Sequence, residues 1–434
     1  MTLRSAPIPD RRRRRRRWLA YLAASILIVL ATIYIAFGRL DPTSGFAPGE
    51  PRTLEELDAW YPEVPDEQNA AIPLLKLIES GKLGPLNDAR DRITASKYQN
   101  DLSEDDRIRL RIRLCEEVIG NSADSLDELH TLLQLPSAHF DVDFNDFSVQ
   151  LLTELVDTAQ GLTVLARFHA ERSEVEQSFR CLEDTYRLSE ILADTPSWLP
   201  FSAGNHIRLL AITAARDVAS KPALTMQQLD QLNHIVSRLN RPDQFYRALA
   251  GSRYETIVAT NKWLKTTFNP LQNAVYVAYM NRLVDASQGP LSELAKTTQD
   301  VRTELDETNR RRFEIRKRFA DRGLLRAREA AWTAEMYVQT QISDQALVQG
   351  IAVLRYRATI GKYPATLEEL VPQYLPSLPE DPYGNGPYRY QATDDSFRIY
   401  SLGRNRVDDH GDLRTVELKR MKPPDSGLDF PIPK

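Results

Sequence analysis

The side chains able to do chemistry are scattered along this chain rather than gathered. His130, His139, His169, His206 and His234 each stand alone in stretches of helical character, where a lone imidazole is a surface or core residue rather than a ligand. Cys115 and Cys181 are the only cysteines. They could join as a disulfide in an oxidising compartment, and their spacing forms no metal-ligand pattern. Nucleophile elbows, glycine-rich phosphate loops, His-Glu-x-x-His pairs and Cys-x-x-Cys pairs are missing. The chain therefore reads as a non-enzymatic protein with no catalytic residue assigned. An enzyme of unfamiliar layout is the rival reading.

Charge is unevenly shared. Residues 1–40 hold nine arginines and one aspartate, a net +8, so an overall charge of −4 leaves −12 for the rest. An acidic body excludes nucleic acid as its partner and suits divalent cations. Hydrophobic residues at 42%, charged residues at 27%, 18 glycines and 26 prolines describe an ordinary folded chain. Its 434 residues exceed what one core usually covers, and two folded units are expected.

Arg11 to Arg17 form an unbroken run of seven arginines, and Trp18 to Gly38 carry no formal charge until Arg39. Those 21 residues, as a helix rising about 1.5 Å per residue, reach about 31 Å against a hydrocarbon core of about 30 Å. Arginines resist translocation, so 1–17 is a cytoplasmic basic tail, 18–38 a transmembrane helix, and the bulk of the chain lies outside the cytoplasmic membrane. Trp18, Tyr21 and Tyr34 sit near the ends, where aromatic rings favour the interface. A cleaved signal peptide would have a shorter apolar core and a better small-x-small site than Ala36-Phe37-Gly38. Nucleic-acid binding by the arginines is the weaker alternative, since polybasic residues beside a span already serve topology and anionic lipid.

Residues 39–52 are rich in Pro and Gly and read as a spacer. A helical domain follows at 53–324. Thr53 with Glu56, Ser173 with Glu176, and Thr225 with Gln228 each predict a capping box at a helix start. Leu152, Leu155, Ala159, Leu162 and Leu165 share one helical face, as do Val175, Phe179, Leu182 and Tyr186, and the short turn near Ser173 makes the two helices an antiparallel hairpin. Ala166 to Leu192 resembles the second half of a tetratricopeptide unit, with no second copy at a set spacing. Leu57 to Ala71, with Trp60 and Tyr61 beside Pro62 and Pro65, resembles the start of a group of uncharacterised bacterial single-anchor proteins. Structurally it is expected to be a packed turn. The mixed charges of 300–328 read as a solvated helix face.

A unit of different character is expected at 325–420. Leu347, Ile351, Leu354 and Ala358 form a helical stripe ending at Gly361. Thr366 and Glu369 predict a fourth capping box on a short helix. Asp381-Pro-Tyr-Gly-Asn-Gly386 clusters turn formers, and Tyr388-Arg-Tyr390 and Phe397-Arg-Ile-Tyr400 alternate as two strands joined through Thr393, Asp394 and Asp395. The order of amphipathic helix, Gly361-Lys-Tyr-Pro364, Leu378-Pro-Glu-Asp-Pro-Tyr-Gly384, Tyr388 with Tyr390, and Ile399-Tyr-Ser-Leu-Gly403 resembles the C-terminal region of the major pseudopilins of type II secretion. The resemblance covers under a fifth of the chain.

It implies a calcium-binding loop after the Ser-Leu-Gly strand. Calcium takes six to eight oxygens, which Asn405, Asp408 or Asp409, Asp412 and carbonyls such as that of Leu402 would supply. An acidic solvated turn is the alternative, and zinc through His410 a remote one. Asn405 stands where the family usually has an acid, and Arg404 and Arg406 bring positive charge close. No pseudopilin peptidase site precedes the apolar segment, and the helical domain would obstruct a pilus-like stack. Residues 421–434, with Pro423, Pro424, Pro431 and Pro433, are expected to be an irregular Pro-rich tail.

The whole therefore reads as mainly α: a transmembrane helix, a helical hairpin body and a small C-terminal α+β pseudopilin-like module. It would serve as an envelope scaffold, with membrane lipid and other envelope proteins as partners and no small-molecule substrate indicated. A component of a secretion or pilus-like assembly and an unrecognised envelope enzyme are the rivals.

Overall fold

The computed structural model describes residues 46–61, 64–89, 91, 93, 103–140, 149–221, 224–237, 243–263, 269–310, 314–413 and 426–431. The basic tail at 1–17, the membrane helix expected at 18–38 and the first half of the spacer lie outside the described residues. Among those described, no helix is long and apolar enough to cross a membrane. The chain is mainly helical, with a small three-stranded antiparallel sheet near its C-terminal end.

The second half of the spacer is docked. Phe46 is 5% exposed and Glu50 3%, both buried in the helical body. Helix α1 (Leu54–Ala59) then starts as its capping box predicts: the Glu56 N–H donates to Thr53 Oγ1 at 3.2 Å, and the Glu56 carboxylate accepts from the Thr53 N–H at 3.3 Å. The segment after α1 is a packed turn. The Tyr61 hydroxyl donates to the Ala138 carbonyl and accepts from the Phe140 N–H, each at 3.0 Å, while the Asn69 amide pairs with both backbone groups of His139 at 2.9 Å.

Helices α2 (Ala71–Glu79), α3 (Gly84–Asn87) and α4 (Glu104–Leu133) lead to the hairpin of α5 (Val149–Glu171) and α6 (Val175–Ala193). Leu155, Ala159, Leu162 and Leu165 of α5 and Leu182 and Tyr186 of α6 have no exposed surface. Each such leucine contributes about 2 kcal/mol of burial. The turn between them corrects the capping box expected at Ser173. Ser173 adopts φ 61°, its N–H donates to the Ala170 carbonyl at 3.2 Å, and the Glu174 N–H donates to the His169 carbonyl at 2.9 Å. That is a Schellman motif ending α5. A residue in the left-handed conformation cannot also be an extended N-cap, so α6 begins without one.

Helix α7 (Trp198–Ala219) lies on both members of the hairpin. Helix α8 (Met226–Ser237) starts at Thr225, whose capping box forms: Gln228 N–H to Thr225 Oγ1 at 3.3 Å and Thr225 N–H to Gln228 Oε1 at 2.9 Å. Helices α9 (Asp243–Trp263), α10 (Asn269–Ser287) and α11 (Leu291–Arg310) complete the body around α12 (Glu314–Ile360).

Helix α12 is the spine of the molecule. Its 47 residues reach about 70 Å at 1.5 Å each. Ala327, Ala331, Ala334, Val338 and Ile342 recur on one wholly buried face, where small side chains let neighbouring helices approach closely. The boundary expected at 324/325 falls inside this helix, and one buried core runs from Ala70 to Phe430.

Gly361, at φ +85°, stops α12, and a short 3₁₀ turn (Leu367–Leu370) leads to strands β1 (Arg389–Ala392) and β2 (Ser396–Ser401). They pair antiparallel through the turn at 393–395, with Tyr390 opposite Ile399. Within the tail expected to be irregular at 421–434, one stretch is corrected. Residues Ser426–Pro431 form β3, antiparallel to β2 with Phe397 opposite Phe430 and Ile399 opposite Leu428. Leu428 and Phe430 alternate inward between Gly427 and Asp429, a period-2 pattern that the surrounding prolines mask in sequence. Pro431 closes the strand at a sheet edge, where a missing N–H costs no ladder bond. The Phe397 and Phe430 rings stack at 4.6 Å, and Phe430 presses on Gly350 of α12, where a Cβ would lie 2.1 Å from the ring.

Candidate functional site

The loop expected to bind a cation leaves β2 at Ser401 and is held by a buried carboxylate. Asp381, 3% exposed, accepts from the Ser401 hydroxyl, from the Leu402 N–H at 2.9 Å and from the Tyr383 N–H at 2.9 Å. Gly403, Arg406, His410 and Gly411 then take φ of 65°, 55°, 59° and 73°, coiling the chain tightly.

Within this coil the expected ligands bond to one another and to the backbone. Asn405 donates its amide to Asp409 at 2.7 Å and accepts the Val407 N–H at 3.0 Å. Asp408 accepts from the His410 N–H at 2.9 Å and from the Tyr400 hydroxyl at 3.2 Å. The Asp412 N–H donates to the Asp409 carbonyl at 3.3 Å. Leu402 is half-buried, while Asp408 and Asp409 face solvent. Among the described residues, no three His, Cys, Asp or Glu side chains gather as a metal ion would require.

Of the two flanking cations, Arg404 turns away to meet Glu335 of α12 at 2.7 Å. Arg302 of α11 also contacts Glu335. Burial, and then the nearby Arg404, lower the Arg302 pKa. This cluster ties the root of the loop to two helices.

Two of the scattered histidines acquire carboxylate partners. His130 Nδ1 lies 2.8 Å from Asp184, joining α4 to α6, and His169 Nδ1 lies 2.6 Å from Glu174 across the Schellman turn. The hydrogen bond that His130 makes to the Asp184 carboxylate raises the His130 pKa. Cys115 and Cys181 are free and buried. Burial pushes the Cys115 thiol up to about 11 and the Cys181 thiol up to about 12, which removes nucleophilic character at neutral pH.

Sequence reasoning missed a cleft of about 310 Å³ between the body and the sheet. The end of α7, the start of α8, the last two turns of α12 and strands β2 and β3 form its walls. Leu224, Leu229, Leu354, Phe397 and Phe430 supply apolar surface, and Lys221 and Arg357 supply charge. Segments more than two hundred residues apart meet there, so no local spacing could have announced it. Comparison with protein-family models, with curated proteins and with solved structures finds no match to the chain.

Proposed function

We propose that this chain is a membrane-tethered, non-enzymatic interaction protein of the bacterial envelope, anchored by 18–38 with its body outside the cytoplasm. The uncharged segment Trp18 to Gly38 behind Arg11 to Arg17 carries this reading. The docked spacer supports it. Between Gly38 and Phe46 the chain spans at most about 28 Å even when extended, and Phe46 and Glu50 are locked into the body. Such a body is held close to the bilayer, an arrangement suited to a scaffold that presents a surface at a defined height.

The pseudopilin resemblance of the C-terminal unit belongs to the same proposal. A helix ending at Gly361, a short turn and a β-hairpin follow in the order that the resemblance implies. Calcium would then stabilise the loop of Leu402, Asn405, Asp408, Asp409 and Asp412, drawing Asn405 and Asp408 from their present partners.

Fractionation tests the anchor. The chain is expected in the membrane pellet after alkaline extraction, with a reporter fused after Lys434 active only outside the cytoplasm. Recovery of intact protein in the soluble fraction, or a cytosolic reporter, overturns the proposal. Thermal melting of the full chain with millimolar calcium is expected to raise the transition; an unchanged transition removes calcium and leaves the anchor untouched. Co-purification of secretion-machine subunits would favour an assembly component over a free-standing scaffold.

A further inference from the structure

The cleft beside the sheet carries cations without carboxylates in its lining. Its lining holds two cations, Lys221 and Arg357, and no Asp or Glu, in a chain whose residues beyond 40 carry a net −12. Among the described residues, neither cation is paired with a carboxylate. Arg357 donates to the Tyr363 hydroxyl at 2.6 Å and lies over that ring at 4.5 Å from its centroid. Among the described residues, Lys221 forms no ion pair or side-chain hydrogen bond.

Both cations lie near helix ends, Lys221 just past α7 and Arg357 in the last turn of α12. A helix C-terminus carries about half a negative charge, so two such ends offset only about one of the two positive charges. About one unit of positive charge is left facing the cleft. The volume lies at the lower limit of small-molecule sites, which run from about 300 Å³ upward.

We propose that this cleft binds a small monocarboxylate with a compact apolar body, its acid group held by Lys221 and Arg357 and its body against Leu229, Leu354, Phe397 and Phe430. The Tyr363 ring already pre-orients Arg357, so little side-chain entropy is lost on binding. The inference is independent of membrane tethering. The same chemistry is found in a free acid and at an apolar C-terminal residue of a peptide, and two arms of one experiment separate them.

Calorimetric titration of the full chain compares 3-phenylpropionate with 3-phenylpropionamide, and acetyl-Gly-Phe with its C-terminal amide. In whichever arm binds, the acid is expected to bind about tenfold or more tighter than the amide, the size of one charge-assisted hydrogen bond. Lys221→Gln is expected to remove about that factor. Ala358→Trp, a change at an exposed helix position that fills the cleft, is expected to abolish binding while melting like wild type. Binding by neither acid overturns the proposal. So does equal binding of acid and amide, which would mean that the cations serve only the helix ends, and so does affinity that survives both substitutions.

Discussion

Arg253 and Glu50 meet with side chains 1% and 0% exposed, and Arg208 and Asp344 with 10% and 6%, whereas Arg398 and Asp429 across β2 and β3 keep 38% and 47%. The helical body thus carries ion pairs in its interior, each joining segments far apart in the chain. The sheet is held on α12 instead by apolar contact, Phe430 on Gly350 and Phe397 on Phe430, and leaves its interstrand pair to water. A buried pair contributes little net stability, yet neither partner can leave alone. In the body, charge therefore selects which segments meet; in the sheet, shape does.

The sharpest way to break this contrast is at Arg253. Its guanidinium contacts Glu50, donates to Asn281 at 2.6 Å and lies 3.8 Å from the centre of the Phe46 ring. Arg253→Met strands the Glu50 carboxylate and is expected to cost about 3–5 kcal/mol in urea denaturation. Limited proteolysis should then cut within 46–52. Pairing it with Glu50→Gln should recover part of the loss. A single-variant cost below about 1 kcal/mol would place this pair with the surface pairs.

Asp381 sharpens the same contrast as the buried charge of the α+β unit. Its donors are two backbone N–H groups and one hydroxyl, with no cation among them. Asp381→Ala is expected to cost about 2–3 kcal/mol and to loosen 402–412. Faster amide exchange at Leu402 checks the assignment, and unchanged exchange there would remove Asp381 as the holder of that loop.

These two residues show where sequence reading stopped. The paired helices of 152–186 were legible because their apolar positions recur every three or four residues, and so were the starts at Thr53 and Thr225, because a capping box is complete within four residues. Ser173 has the same spelling, but the choice between N-cap and C-cap depends on which helix claims the turn. Strand β3 hid between prolines, since only the neighbouring β2 makes six residues into a strand. In sequence Asp381 is a turn former, a role it also fills by accepting from the Tyr383 N–H. Its hold on Ser401 and Leu402, like the meeting of Glu50 with Arg253, needs tertiary proximity that no spacing encodes. The cation loop was legible as a set of oxygen-bearing residues; that they bond to each other was not.

His130 and Asp184 stand between the two extremes, with side chains 26% and 5% exposed. The folded pKa of His130 is raised by its hydrogen bond to Asp184. A raised histidine contributes stability that is fully present below its unfolded value of about 6.5 and is lost as pH rises through the folded value. The denaturation midpoint of wild type relative to His130→Asn is therefore expected to be highest at acidic pH and to narrow above about pH 6.5, by no more than about 1 kcal/mol. A gap that widens with pH would mean that the buried Asp184, whose own pKa burial raises, governs the pair.

The smallest effect belongs to Arg398. It meets Asp429 at 3.0 Å across the sheet and also donates to the Gly411 carbonyl at 2.9 Å and the His410 carbonyl at 3.5 Å, so it is shared between the strand pair and the loop. Two exposed side chains gain little from each other in high dielectric, and a double-mutant cycle of Arg398→Ala with Asp429→Ala is expected to give a coupling below about 1 kcal/mol that shrinks in molar salt. A coupling above about 2 kcal/mol would show that interstrand charge also holds the sheet, and shape alone would no longer distinguish the C-terminal unit from the body. The Gly411 bond gives the cycle a second use. If loss of Arg398 disturbs the backbone of 408–412 while loss of Asp429 does not, the arginine serves the loop rather than the strand pair.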